Sequence, residues 1–354
     1  MKHIVILGST GSIGCNTLQV IRDFPDKFKV TALSTNSNIE VLSGQIREFC
    51  PRFICVKDEQ AAYKLKKSVN LKNIRLFVEE DGLNELVKQK EIDMVVVAVS
   101  GSSALMPLFY AIDSKKEIAL ANKEALVAAG HILMEKAARK KVKIIPIDSE
   151  QSAIWQCLQG EDKDKLKRIY LTASGGPLRK SSIKELKSIS RSKVLRHPRW
   201  KMGKKITVDS ATLMNKGFEV IEAMHLFALR PKMIKVLIHP QAIIHSMAEF
   251  IDGSVMAQLS VTDMRIPIQY ALSYPQRLKC SLEPLDFCGL KNLSFYEPDF
   301  KKFPCLSLAY RVASQAGESG AVLNAANEAC VEEFLKRRLR FILIPSVIEG
   351  VLGR

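Results

Sequence analysis

The stretch "HIVILGSTGSIGCNTLQVI", residues 3–21, decides how the first half of the chain is read. A short apolar run, His3–Leu7, stops at a glycine. Gly8, Gly11 and Gly14 follow at G-x-x-G-x-x-G spacing, and a helix-period stretch comes next. Strand, tight glycine turn and helix in that order form a variant of the dinucleotide fingerprint. The glycines permit a close backbone approach, and the helix N-terminus offers N–H groups and partial positive charge to a phosphate. Outward from it, six more strand-like runs recur: "KVTAL", "RFICV", "NIRLFV", "DMVVVAV", "EIALA" and "KIIPI". Charged helix-period stretches such as "NIEVLSGQIREF" and "EALVAAGHILMEKAARKK" separate them. Repeated β-α units predict an α/β, doubly wound parallel sheet whose ligands bind at the carboxyl ends of the strands.

The end of the second strand, "ALSTNSN" at 32–38, carries no acid. A carboxylate there would bind a ribose 2′-hydroxyl and repel a 2′-phosphate, so its absence favours NADP over NAD. Ser34, Thr35, Ser37 and Asn38 can donate hydrogen bonds to such a phosphate.

The seventh run ends in "IIPIDSEQSAIW", residues 144–155, with Asp148 and Glu150 flanking Ser149. In extended geometry these two acids point to one face, with nothing local to neutralise them. They are read either as solvated acids at a strand end, with Ser149 capping a helix that starts near Gln151, or as a divalent-cation site. Beyond Ser149 the texture changes. "TASGGP" sets Ser174 in a glycine turn able to cradle an anion, and "ALANKEAL" sets Asn122 and Lys123 at a strand–helix junction. In "VDSATLMNKGFEVIEA", Asn215, Lys216 and Glu219 lie within about one helical turn. Ser210, Asn215 and Lys216 suit a phosphate, and Glu219 adds a third carboxylate. Asp252-Gly253, between two alternating runs, predicts a hairpin.

The chain has 354 residues, a net charge of +16, 47% apolar and 25% charged residues, which predicts a soluble protein of two or three domains. No apolar run is long enough to span a bilayer, and the first residues read as a strand rather than a signal peptide. Eight scattered cysteines without a C-x-x-C pair suit free thiols in the cytoplasm. Basic runs such as "KLKK" and "KRRLR" lack interleaved aromatics, so anionic small molecules are favoured over nucleic acid as partners.

The motifs "GSTGSIG", "LANKE", "IDSEQSAIWQCL", "TASGGPL", "HPRWKMGKKITVDSATLMNKGFEVIEA", "HPQAIIHSMAEFIDGSVMAQL", "DMRIPI" and "NAANE" cover the chain to about residue 335. Together they resemble the 1-deoxy-D-xylulose 5-phosphate reductoisomerase family. The resemblance implies an N-terminal Rossmann-like NADPH domain at 1–149, a central α+β catalytic and dimerisation domain at 150–275, a linker at 276–305 and a C-terminal helical domain at 306–354. The family usually continues past this point, so the last domain is expected to be shortened.

The resemblance further implies that Asp148, Glu150 and Glu219 are ligands of one Mg²⁺ or Mn²⁺ ion. It implies that Ser174, Ser210, Asn215 and Lys216 form the phosphate pocket, and that Ser149 and Lys123 hold substrate oxygens. His197, Trp200 and Met202 would lie on a mobile loop over the substrate, with His197 also among the catalytic residues. Gly8, Thr10, Gly11, Ser12, Ile13 and Gly14 would form the pyrophosphate turn, with Asn36, Ser37, Asn38, Asn122, Glu124 and Gly203 as further NADPH contacts. Asn36 stands where the family commonly has glycine.

The implied reaction rearranges a small phosphorylated sugar, by a retro-aldol/aldol or an α-ketol route, and reduces the resulting aldehyde with NADPH. The family acts as a homodimer. Two other readings compete: a homoserine- or semialdehyde-type dehydrogenase, which needs no metal triad, and a dinucleotide-sensing binding protein with a degraded site.

Overall fold

Each of the seven strand-like runs forms a strand. The computed structural model describes residues 1–196, 203–315 and 317–353. The first elements are β1 (Lys2–Leu7), α1 (Ser12–Asp23), β2 (Phe28–Thr35), α2 (Ile39–Phe49), β3 (Phe53–Val56), α3 (Glu59–Ser68), β4 (Arg75–Val78), α4 (Glu79–Val87), β5 (Met94–Val97), α5 (Leu105–Asp113), β6 (Glu117–Leu120), α6 (Glu124–Lys140) and β7 (Ile144–Pro146). Their strands make one seven-stranded sheet, ordered β4-β3-β2-β1-β5-β6-β7, with every neighbouring pair parallel. Ile4–Leu7 and Met94–Val97 are wholly buried, which is why these central strands read as unbroken apolar runs. The chain turns back across the sheet between β1 and β5, so a topological switch point lies at the carboxyl end of β1. The glycine turn stands there.

After β7 come α7 (Ser149–Cys157), β8 (Leu166–Ala173), α8 (Ile183–Leu186), α9 (Arg191–Val194), α10 (Lys204–Thr212), α11 (Met214–Phe227), β9 (Ile234–Ile238), β10 (Ile244–Phe250), β11 (Val255–Leu259), α12 (Arg265–Ser273), α13 (Pro304–Ala313), α14 (Ser319–Leu335) and α15 (Ile344–Leu352). A second sheet has the order β11-β10-β8-β9. The β10–β11 pair is the hairpin predicted around Asp252-Gly253; Gly253 has φ +89°, and Asp252 accepts the Ser254 N–H at 3.0 Å. Helix α7 packs on β8, β10 and β11, and α11 packs on β8, β9 and α13.

The chain divides into two compact units: 1–125, 131–148 and 264–282 in one, and 126–130, 149–263 and 283–354 in the other. Helix α12 belongs to the first unit, whereas the sequence expectation grouped 150–275. Its apolar face, including Ile268, Ala271 and Leu272, is buried, and the helix packs against α1, β6 and β7. The helices from α13 onward share the second unit with the four-stranded sheet rather than forming a unit of their own. Among the described residues no helix is long and apolar enough to cross a membrane.

One local expectation changes. Glu150 lies in the first turn of α7, not on an extended strand, so strand alternation is not what sets Glu150 beside Asp148. The run from Ala211 to Leu229 is not one continuous helix. Leu213 adopts φ +59°, ends α10 and lets α11 begin at Met214, which sets the first turn of α11 at Asn215 and Lys216.

Candidate functional site

In the first unit the glycine turn joins β1 to α1. Gly8 has φ +83°, and a Cβ there would lie 2.9 Å from the Ala98 carbonyl oxygen; a Cβ on Gly14 would lie 2.3 Å from the Gly8 oxygen. Neither position admits a side chain without moving backbone. Gly11 stands at the N-cap of α1, with no side chain satisfying the first N–H groups and no acid in the first turn. Those groups, which include the N–H of Ser12 and Ile13, are therefore open to an anion.

The turn is bonded to the end of β2. Gly8 N–H donates to Ser34 Oγ at 2.9 Å, Ser9 N–H donates to Ser34 O at 2.8 Å, and the Thr10 and Thr35 hydroxyls pair at 2.7 Å. Ser34 and Thr35 are buried and brace the turn, so they are not the phosphate donors the sequence suggested. Asn38 caps α2 through its Oδ1, which accepts the Val41 N–H at 3.3 Å. Asn36 and Ser37 are exposed at this corner.

Asn122, at the end of β6, is 3% exposed. Its Nδ2 donates to Val99 O and Gly101 O, both at 3.0 Å, and its Oδ1 accepts the Ala125 N–H at 2.9 Å. That side chain braces backbone, and only its peptide groups are left for a nucleotide. Glu124, the first residue of α6, is buried. Lys123 is 5% exposed and donates to Asp148 Oδ2 at 2.8 Å.

In the second unit, α7 and α11 bring their N-terminal turns together. Lys216 Nζ donates to Glu150 Oε1 at 2.9 Å and also to Glu219. Asn215 Nδ2 donates to Glu219 Oε1 at 2.6 Å, and Ser149 Oγ donates to Glu150 Oε2 at 2.5 Å. Lys216 and Glu219 are 3% and 1% exposed, a degree of burial that charged groups tolerate only when paired. The turn after β8 lies against α10: Gly176, with φ +68°, is so close that a Cβ would fall 2.4 Å from Ser210 O. Ser174 Oγ accepts the Gly176 N–H at 3.3 Å. Gly203 is exposed and caps the start of α10. His197, Trp200 and Met202 lie outside the described residues.

Asp148 ends the segment of the first unit and is joined directly to Ser149 of α7. Asp148, Glu150 and Glu219 each offer one carboxylate oxygen, and these oxygens lie within 4.8 Å of one another. Three oxygen donors at this spacing suit a hard divalent cation. The two buried ammonium groups bonded to these carboxylates, those of Lys123 and Lys216, mark the same concentration of negative charge. The residues present therefore fit Mg²⁺ or Mn²⁺.

Two further groups bear on this arrangement without having been singled out in the sequence. Gln151, wholly buried, donates from Nε2 to the Glu219 carbonyl at 2.9 Å and ties α7 to α11. His245, on β10, is buried; burial pushes its imidazole pKa down, and the Glu150 charge acts in the opposite sense. Both stand inside quoted motifs, "IDSEQ" and "HPQAIIHS", but no spacing rule connects either to a carboxylate on another element.

Fold and site define a class: a nucleotide-dependent α/β oxidoreductase with an oxygen-ligand cation site. Comparison with known proteins agrees. A family model for 1-deoxy-D-xylulose 5-phosphate reductoisomerase matches residues 4–130, and two C-terminal-domain models of the same family match 144–227 and 259–354. The reductoisomerase of Caldanaerobacter subterraneus subsp. tengcongensis is 52% identical over 353 residues, covering 99% of this chain and 92% of that protein. That of Phocaeicola vulgatus is 45% identical over 353 residues, covering 100% of this chain and 92% of that protein. A crystal structure of DOX-P reductoisomerase in complex with NADPH, fosmidomycin and magnesium superposes with a TM-score of 0.95 at 39% identity, covering 99% of this chain and 89% of that one. The Zymomonas mobilis enzyme in complex with NADPH gives 0.92 at 37% identity, covering 99% and 91%. The chain belongs to the 1-deoxy-D-xylulose 5-phosphate reductoisomerase family.

Proposed function

We propose that this chain converts 1-deoxy-D-xylulose 5-phosphate to 2-C-methyl-D-erythritol 4-phosphate, with NADPH and a divalent cation, as a step in isoprenoid precursor synthesis. The observation that carries the reading is the grouping of Asp148, Glu150 and Glu219 within 4.8 Å in a chain that matches the family over nearly its whole length. When bound, the cation supplies Lewis-acid polarisation of neighbouring substrate oxygens and NADPH supplies the reducing equivalent.

The chain's own residues bind and orient. Asp148, Glu150 and Glu219 hold the cation. Lys216 and Asn215, with Ser174 and Ser210, take the substrate phosphate, whose charge an ammonium and hydroxyl donors match. Anchoring the phosphate away from the reacting carbons provides binding energy for orienting them. Ser149 and Lys123 hold the substrate oxygens. The turn from Gly8 to Gly14 receives the pyrophosphate, and Asn36 and Ser37 stand at the corner where a 2′-phosphate belongs.

We also propose a cytoplasmic homodimer. Support comes from the edge position of β11 in its sheet, where Val255 and Met256 are about half exposed. The direct test is NADPH oxidation with 1-deoxy-D-xylulose 5-phosphate, with and without Mg²⁺ or Mn²⁺. Turnover that needs both metal and substrate supports the function; metal-independent turnover removes it. A clearly monomeric active protein at micromolar concentration removes the dimer.

A further inference from the structure

Behind the glycine turn lies a buried residue that the proposed activity does not use. Gln45, on α2, is 6% exposed. Its Nε2 donates to the Ser9 carbonyl at 2.9 Å, and its Oε1 accepts from Ser9 Oγ at 2.7 Å. The pairing fixes the amide's orientation, because a carbonyl oxygen can only face the NH₂ end. Ser9 is itself wholly buried and further held by Ser34 O, which accepts its N–H at 2.8 Å and lies 3.1 Å from its hydroxyl.

The consequence follows from peptide geometry. In a planar trans peptide the C=O and the next N–H point in opposite directions. Holding Ser9 O inward on Gln45 therefore turns Thr10 N–H outward, onto the open side of the turn. We propose that Gln45 is a positioning residue for the nucleotide: it clamps the Ser9–Thr10 peptide from inside so that the Thr10 N–H is presented to the pyrophosphate. Among the described residues the other donor to Ser9 O is the Cys15 thiol, a weak donor at 3.6 Å. A rotated peptide would aim a carbonyl oxygen at the phosphate in place of a donor. The inference rests on the reading of the 8–14 turn as the NADPH site.

The test compares Gln45→Met, which keeps volume and loses both hydrogen bonds, with Gln45→Glu, which keeps an acceptor for Ser9 Oγ but sets a carboxylate against the Ser9 carbonyl. NADPH affinity is read by nucleotide fluorescence on the full chain, and KM values are read separately for NADPH and the sugar phosphate. Loss of the oriented donor should raise the NADPH Kd and KM about 5- to 20-fold, more for Gln45→Glu, with kcat at saturating NADPH and the KM of the sugar phosphate unchanged. Ser12→Asp, on the open side, controls for the site itself, since it sets a negative charge at the start of α1. If Ser12→Asp destroys NADPH binding while both Gln45 variants bind within twofold of wild type, the Gln45 inference is wrong and the site stands. If Ser12→Asp has no effect, the site reading fails, and this inference fails with it. Equal losses of NADPH and sugar-phosphate affinity, accompanied by a lower melting temperature, would show that Gln45 supports only the fold and would also overturn the proposal.

Discussion

Glu219→Gln separates the cation site from the rest of the protein. The side chain is 1% exposed and faces Glu150 through Lys216, with Asn215 Nδ2 at 2.6 Å. Two unit charges about 4 Å apart interact by about 4 kcal/mol at an effective dielectric near 20, and a dication doubles the figure. The amide retains an oxygen donor and the site stays partly hydrated, which recovers about half. A net loss of about 3–4 kcal/mol corresponds to roughly 100- to 1000-fold weaker metal binding at 1.4 kcal/mol per decade.

Folding should suffer little from the same change. Lys216 keeps Glu150 at 2.9 Å, so its buried ammonium is not left without a carboxylate, and the new amide fits if its oxygen faces Lys216 and the Asn215 amide turns its Oδ1 to the new NH₂. A stability change of about 1 kcal/mol, or roughly 1–2 °C in Tm for a chain of 354 residues, is expected. NADPH binding on the 8–14 turn should stay within twofold. The assay is calorimetric titration with Mg²⁺ or Mn²⁺, NADPH fluorescence and turnover on one preparation. Metal affinity and turnover at the wild-type level would take Glu219 out of the site and leave the three-carboxylate reading without support.

Gly176→Ala should raise the KM of the sugar phosphate about 5- to 100-fold, since its methyl would displace Ser210, at about 1–3 kcal/mol for a strained backbone position; an unchanged KM would remove Ser210 from the phosphate pocket. Ser37→Asp should shift cofactor preference toward NADH, measured as the ratio of kcat/KM values; an unchanged ratio would show that the 2′-phosphate does not meet this corner. Burial raises the thiol pKa of Cys55 to about 12 and of Cys157 to about 11. Both thiols should therefore resist alkylation in the native protein at pH 8, while the exposed Cys50, Cys280 and Cys288 react; native labelling of Cys157 as fast as of Cys280 would refute its burial. The folded-state values are raised, so these thiols contribute stability below the unfolded pKa of about 8.5, and that stability is lost as pH rises from there toward 11. Denaturant titrations at pH 8 and pH 10 check the sign.

The seven-stranded sheet was legible in the sequence because each of its strands is buried on both faces or bounded by charged helix, so each run of residues announces itself without help from elsewhere. Gly8 and Gly14 were legible because a local constraint acts at each, the φ of +83° at Gly8 and the contact of a Gly14 Cβ with the Gly8 carbonyl, whereas the approach of Ala98 to Gly8 is tertiary. Asn215, Lys216 and Glu219 were predicted together because helical spacing alone joins them. Tertiary structure decided the rest. The position of Glu150 in a helical turn depends on α7 beginning at Ser149, which the packing of α7 on β8, β10 and β11 supports and strand alternation does not foretell. Ser34 and Asn122 carry the residue types of ligand contacts, yet their partners are backbone groups on other segments, so only the folded chain shows them to be braces. Gln45 stands 36 residues from Ser9, and Gln151 stands 68 from Glu219. Side-chain to backbone bonds across such separations leave no periodicity in the sequence; they exist because packing brings buried polar groups together away from water.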